Sequence, residues 1–134
     1  MRNRYILGQL ELEAIIKAAQ DEAIQQGWAV SISVVDDGGH PLALLRLDGA
    51  APISAYIAQE KARTAALGRR ASKGYEDMVN DGRTAFLSAP LLTSLEGGIP
   101  VVIDGEVIGA VGVSGVKADQ DAQVAVAGKN AVSG

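Results

Sequence analysis

Residues 97–115 read GGIPVVIDGEVIGAVGVSG, two apolar runs joined by Asp104-Gly105. Asp-Gly between apolar runs predicts a tight two-residue hairpin, because both central residues of that turn need positive φ. The spacing therefore predicts strands over 99–103 and 106–114. Gly109, Gly112 and Gly115 interrupt the second run. Glycine weakens a strand interior, so its presence points to another backbone approaching closely. Side chains alternate across a strand, which puts Gly112 on one face and Gly109 and Gly115 on the other. Both faces are otherwise apolar, so this strand is predicted to be central, covered on both sides by tightly packed helices. Gly112 to Gly115, at its end, are predicted to open a pocket.

Working outward, residues 10–26 place Leu12, Ile15, Ile16, Ala19 and Ala23 at helical spacing, with Gly27 where a C-terminal cap belongs. The period then changes to two over 28–36, and Asp37-Gly38-Gly39 turns the chain into a return strand over 41–47. A second helix is predicted over 52–67, with Pro52 suited to its first turn. Ala58, Ala62 and Ala65 form its small side, while Ile53, Ile57, Lys61 and Thr64 share another stripe. Residues 69–98 are the least regular, with a short helix over 75–80 and a long functional loop over 88–98. A last helix is predicted after Asp119, read as its N-cap. Two hairpins and three main helices give a layered α+β domain with an antiparallel sheet.

A chain of 134 residues supports one domain, here 1–134. Its net charge of -4 and five aromatic residues argue against a nucleic-acid partner, which selects basic surfaces and stacking rings. The absence of cysteine removes thiolate chemistry, disulfides and zinc-cysteine sites. The N-terminus lacks the apolar core of a signal peptide, and no run is long enough to span a membrane, so the expected location is cytoplasmic without membrane partners.

Lys61 is the most informative charge. Set among apolar neighbours, its ammonium could hold a carboxylate or phosphate or act as a base; the bland alternative is a lysine whose head reaches water. Lys61, Arg63, Arg69, Arg70, Lys73 and Arg83 concentrate positive charge beside the long loop, either as an anion-receiving rim or as a solvated mix with Glu76, Asp77 and Asp81. Asp36, Arg46 and Asp48 flank the first hairpin, and Arg46 and Asp48, two residues apart, are expected to form an ion pair. Asp121, in the first turn of the last helix, complements the helix dipole and leaves a site role open. His40 is the only histidine, so no metal site is expected. GAVGVSG lacks the lysine of a phosphate-binding loop and the glycine spacing of a dinucleotide fold.

The blocks SISVVDDGGHPLALLRLDGA, EKARTAAL, EGGIPVVIDGEVIGAVGVSG and DQDAQVAVAG resemble, in order and spacing, the GlcG/HbpS family. The resemblance implies a profilin-like fold, a five-stranded antiparallel sheet with helices on both faces, and assembly into a homo-oligomer. It also implies a tetrapyrrole, haem or corrinoid, as ligand, although no imidazole accompanies His40 and the early-helix segment AAQDE offers no axial ligand. The first functional reading is a binding protein for a tetrapyrrole or a small carboxylated metabolite. Its pocket is placed between the last strand, the Lys61 helix and loop 88–98. The candidate ligand-binding set is Lys61, Thr64, Arg46, Asp36, Gly98, Gly112, Gly115 and Asp121. The alternatives are an enzyme acting on a small organic acid, with Lys61 anchoring the carboxylate and Asp121 or Asp36 handling a proton, and an accessory subunit of a metabolic enzyme.

Overall fold

The two faces of the central strand decide how the layers stack. The computed structural model describes residues 1–132. Its elements are α1 (Gln9–Gln26), β1 (Ser31–Asp36), β2 (Pro41–Arg46), α2 (Pro52–Gly68), α3 (Lys73–Asn80), a 3-10 turn (Thr84–Ser88), β3 (Gly98–Ile103), β4 (Glu106–Ser114) and α4 (Ala118–Lys129). The strands pair antiparallel in the order β2-β1-β4-β3, so β4 is internal as its composition predicts.

Directly opposed residues of an antiparallel ladder share a face. Ile32 with Val113 and Val34 with Val111 form one face, which packs with Ile15, Ala19 and Ala23 of α1 and Val124 and Ala125 of α4. Burying each of these valines and isoleucines stabilises the fold by roughly 1.5–3 kcal/mol. The other face is built from small residues, Ser31, Ser33, Val35, Ala110, Gly112 and Gly98, and α2 lies on it through Ala62, Ala65 and Ala66. A Cβ on Gly112 would sit 2.1 Å from the Ala58 carbonyl oxygen and 2.5 Å from the Ala62 nitrogen. The glycine therefore fixes how closely α2 approaches β4. Gly109 faces the opposite way, toward Leu7.

The sheet has four strands among the described residues, where five were expected. Each hairpin supplies two, and loop 89–97, which carries Pro90 and a left-handed Leu91 (φ 60), adds none. Strand β1 begins at Ser31 and not at Trp28; beyond the ladder a single bond, Leu47 N–H to the Val30 carbonyl, joins the two strands. Helix α4 starts at Ala118 with Lys117 at its N-cap, so Asp119 lies inside the first turn, where its charge still suits the dipole. Helix α3 starts two residues earlier, at Lys73, which pairs with Asp77 one turn on. No helix among the described residues is long and apolar enough to cross a membrane.

Candidate functional site

Lys61 sits at mid-α2 with its side chain 4% exposed. Its ammonium donates to the Val113 carbonyl at 3.0 Å and to Asp121 Oδ2 at 3.0 Å. The other carboxylate oxygen of Asp121 accepts the Val116 N–H. One side chain thus joins α2, the end of β4 and the first turn of α4. Space for it comes from a glycine pair: a Cβ on Gly97 would lie 2.9 Å from Lys61 Nζ, and one on Gly98 would lie 2.1 Å from the Lys61 carbonyl oxygen. Burial pushes the Asp121 carboxyl above its usual range, against the pull of the Lys61 ammonium and the Val116 N–H.

One turn further along α2, Thr64 is buried and its hydroxyl accepts the Thr93 N–H at 2.8 Å, pinning loop 89–97. Ser72 pins the same loop, donating to the Leu95 carbonyl while accepting the Gly98 N–H. Between these anchors lies an apolar cleft of about 230 Å³ lined by Thr64, Leu67, Gly68, Tyr75 and residues 90–92. Gly68 makes room for the Tyr75 hydroxyl, which a Cβ there would meet at 2.4 Å. Leu91 holds a conformation that bulky residues avoid, and such strain concentrates at binding and switch positions.

Rings and guanidiniums stack beside this cleft. Tyr75 and Phe86 have centroids 5.8 Å apart; Arg70 lies over Tyr75 at 4.6 Å and Arg83 over Phe86 at 5.1 Å. Neither arginine pairs with a carboxylate among the described residues. Nearby, burial pushes the Glu96 carboxyl up, against the pull of Lys73.

The sequence pattern of the family described as "Haem degrading protein HbpS-like" matches residues 8–130. The chain belongs to this HbpS-like family. It is 68% identical over 114 residues to protein GlcG of Escherichia coli (strain K12), covering 85% of each chain. It also superposes on the PduOC:haem complex with a TM-score of 0.86 at 28% identity, covering 96% of each chain. Against a double mutant of Streptomyces reticuli HbpS the TM-score is 0.88 at 31% identity, over 98% of this chain and 90% of that one.

Within this HbpS-like chain the candidate residues divide among four places. Lys61, Asp121 and Gly98 meet at the buried junction, and Thr64 borders the cleft. Gly112 lies under α2, and Gly115 (φ 145) packs on the Ala29 carbonyl, so the end of β4 is closed by backbone. Asp36 and Arg46 belong to the first hairpin. Asp36 accepts from the His40 ring and from the Gly38 and His40 N–H groups. Burial pushes its carboxyl up, but those His40 and Gly38 contacts outweigh it and hold it below the usual range. The expected Arg46–Asp48 pair does not form: among the described residues the hairpin's ion pairs are Asp36–His40 and Asp37–Arg4. Beyond the end of β2, Asp48 turns away to the groove beside Trp28 and Leu47. Tyr75, Phe86, Leu91 and Gly97 escaped the sequence reading. Only Gly97 left a signal, as the first of the paired glycines in EGGIP.

Proposed function

We propose that this HbpS-like protein binds a planar, carboxylate-bearing small molecule in the cleft between the end of α2, α3 and loop 89–97, with a tetrapyrrole as the leading candidate. The observation that carries the reading is the Arg70–Tyr75–Phe86–Arg83 stack, which sets two carboxylate-free guanidiniums beside an apolar wall. Apolar lining suits a ring system, and arginine forks suit its acid groups. The relative crystallised with haem shares the fold across nearly its whole length, which supports the ligand class.

The apolar lining suits the edge of a haem ring and the two guanidiniums suit its acid groups, while a cleft of about 230 Å³ encloses only part of the macrocycle. His40 does not line the cleft and is engaged by Asp36, so the oxygen available to haem iron at the wall is the Tyr75 phenol, a donor type that iron accepts. Bound haem would supply redox chemistry; the chain's own contribution is to hold the ring, neutralise its acids and keep Thr64 and Leu67 in place. In this reading Lys61 and Asp121 position α2 under the cleft. The enzyme alternative, with Lys61 anchoring a carboxylate, leaves it one ammonium N–H once Val113 and Asp121 are served, on a side chain only 4% exposed.

A smaller carboxylated metabolite is the second reading. The cleft, at about 230 Å³, falls below the roughly 300–1,000 Å³ of sites that enclose larger ligands. Self-association into a homo-oligomer, or docking on a metabolic enzyme, would give the exposed Leu87, Leu91 and Leu95 a cover. Haem titration tests the main reading. A shifted Soret band is expected, with affinity reduced about tenfold or more when Arg70 and Arg83 are both changed to Gln. An unshifted band removes the tetrapyrrole and leaves the small acid. Native mass spectrometry of the freshly purified protein reads bound mass and subunit count together.

A further inference from the structure

The C-cap of α2 separates two clefts. Leu67 and Gly68 line the apolar one, whereas Arg69 turns the other way into a polar cleft of about 550 Å³ lined by Arg2, Arg4, Arg69, Gly105, Glu106 and Val107. We infer that this polar cleft is a second binding site, one that takes a small, multiply charged oxyanion through its three guanidiniums.

Arg69 is the central cation of this cleft. It adopts a left-handed conformation (φ 58) at a position where helices ordinarily end in glycine. Its Nη1 donates to the Ala66 carbonyl at 2.8 Å and also to the Asp37 carbonyl, so the head is held in a fixed direction. Carbonyl oxygens carry only partial charge, and no carboxylate pairs with Arg69 among the described residues. Its cationic charge is therefore uncompensated in the largest cavity described.

The N-terminal segment brings the other two cations. Leu7 is buried against Gly109, where a Cβ would lie 2.5 Å from the leucine side chain. That anchor fixes the start of the chain beside the β3–β4 turn. Arg4 pairs with Asp37, the residue whose carbonyl holds Arg69. Arg2 reaches Glu106 only at 4.0 Å, the outer limit of an ion pair, and stays almost fully exposed. Gly105 adds no bulk, with nothing within 4 Å of where its Cβ would stand. Three arginines thus line the cleft with one carboxylate, Glu106, while Asp37 pairs with Arg4 from outside it and Asp104 lines the adjoining cleft that shares Arg4 and Glu106. Guanidinium forks match the paired oxygens of phosphate and carboxylate groups, which selects polyphosphates, phosphate esters or di- and tricarboxylates over neutral ligands.

Isothermal titration at low ionic strength with pyrophosphate and, separately, citrate tests the site; acetate is the monovalent control. Saturable binding of at least one probe is expected, weakening with added salt and about tenfold or more weaker in Arg69→Gln. Arg2→Gln, outside every helix and strand, gives a loss of the same sign without risk to the fold, whereas Lys17→Gln, of equal charge change on α1, retains the affinity. Saturation by pyrophosphate alone assigns the site to phosphates, and by citrate alone to carboxylates. The inference is overturned if neither probe saturates, if both arginine variants bind as the wild type does, or if acetate binds equally well. Haem affinity reads the other cleft, so either result leaves the other standing.

Discussion

Along its middle turns α2 rests on Ser31, Ser33, Ala110 and Gly112 so closely that a methyl group at residue 112 has no room; beyond Leu67 the chain enters α3 and the 3-10 turn, in which no residue is buried. The first region owes its order to contacts between layers. The second is held by a few polar pins, Thr64 to Thr93 and Ser72 to Leu95, and by rings stacked on arginines. In the proposed reading, stability and recognition fall to different stretches of one helix and its continuation. Segments with few buried contacts open at low cost, as ligand-gripping elements must.

The largest test of this division is Lys61→Ala. Removing one member of a buried pair strands Asp121, and the expected loss is about 3–5 kcal/mol in urea unfolding. Replacing Lys61 by Met together with Asp121 by Leu should recover most of that loss; failure to recover would mean the pair does more than satisfy itself. Gly112→Ala ranks next, at about 3 kcal/mol, because the two nearest neighbours of the added methyl are backbone atoms that cannot swing aside. By contrast, Tyr75→Ala and Phe86→Ala should shift the unfolding free energy by only about 1 kcal/mol while weakening ligand binding about tenfold or more. A large loss of stability from either would erase the distinction between the two regions.

The smallest expected effect concerns pH. Burial raises the Asp121 carboxyl above 3.8, so in the window just above that value the folded protein binds more protons than the unfolded chain. Stability from this group is therefore present at low pH and declines as pH rises through the folded value. The stability of the wild type relative to Asp121→Asn should accordingly improve as pH falls toward 3.8, read from denaturant midpoints. A wild type that loses stability relative to Asp121→Asn on acidification would mean that the carboxyl is held below its ordinary value instead.

The hairpins were legible because Asp104-Gly105 and the alternation of Ile32 and Val34 with Ser31 and Ser33 are local signals. Gly112 was legible as a close-approach site for the same reason. Lys61 and Asp121 each stood out, but their meeting did not: 60 residues separate them, and nothing beside either names its partner. The Arg70–Tyr75–Phe86–Arg83 stack was invisible, since its members fall at no regular spacing and meet only once the chain has folded around α3. The fifth strand rested on the family resemblance alone, and the ladder among the described residues closes with four. Arg2 and Arg4 carried no local signal, because their direction depends on the buried Leu7.

Gly112 also bears on how such a protein could change its ligand. Because α2 carries both the contact with Gly112 and the cleft residues Thr64 and Leu67, a larger residue at position 112 must lift the helix and widen or tilt the cleft. The dimensions of the proposed binding cleft are thus inherited from a position that does not line it. Divergence in ligand size within this architecture has a route through the sheet, remote from any contact surface, and the cost of taking it is stability and not affinity.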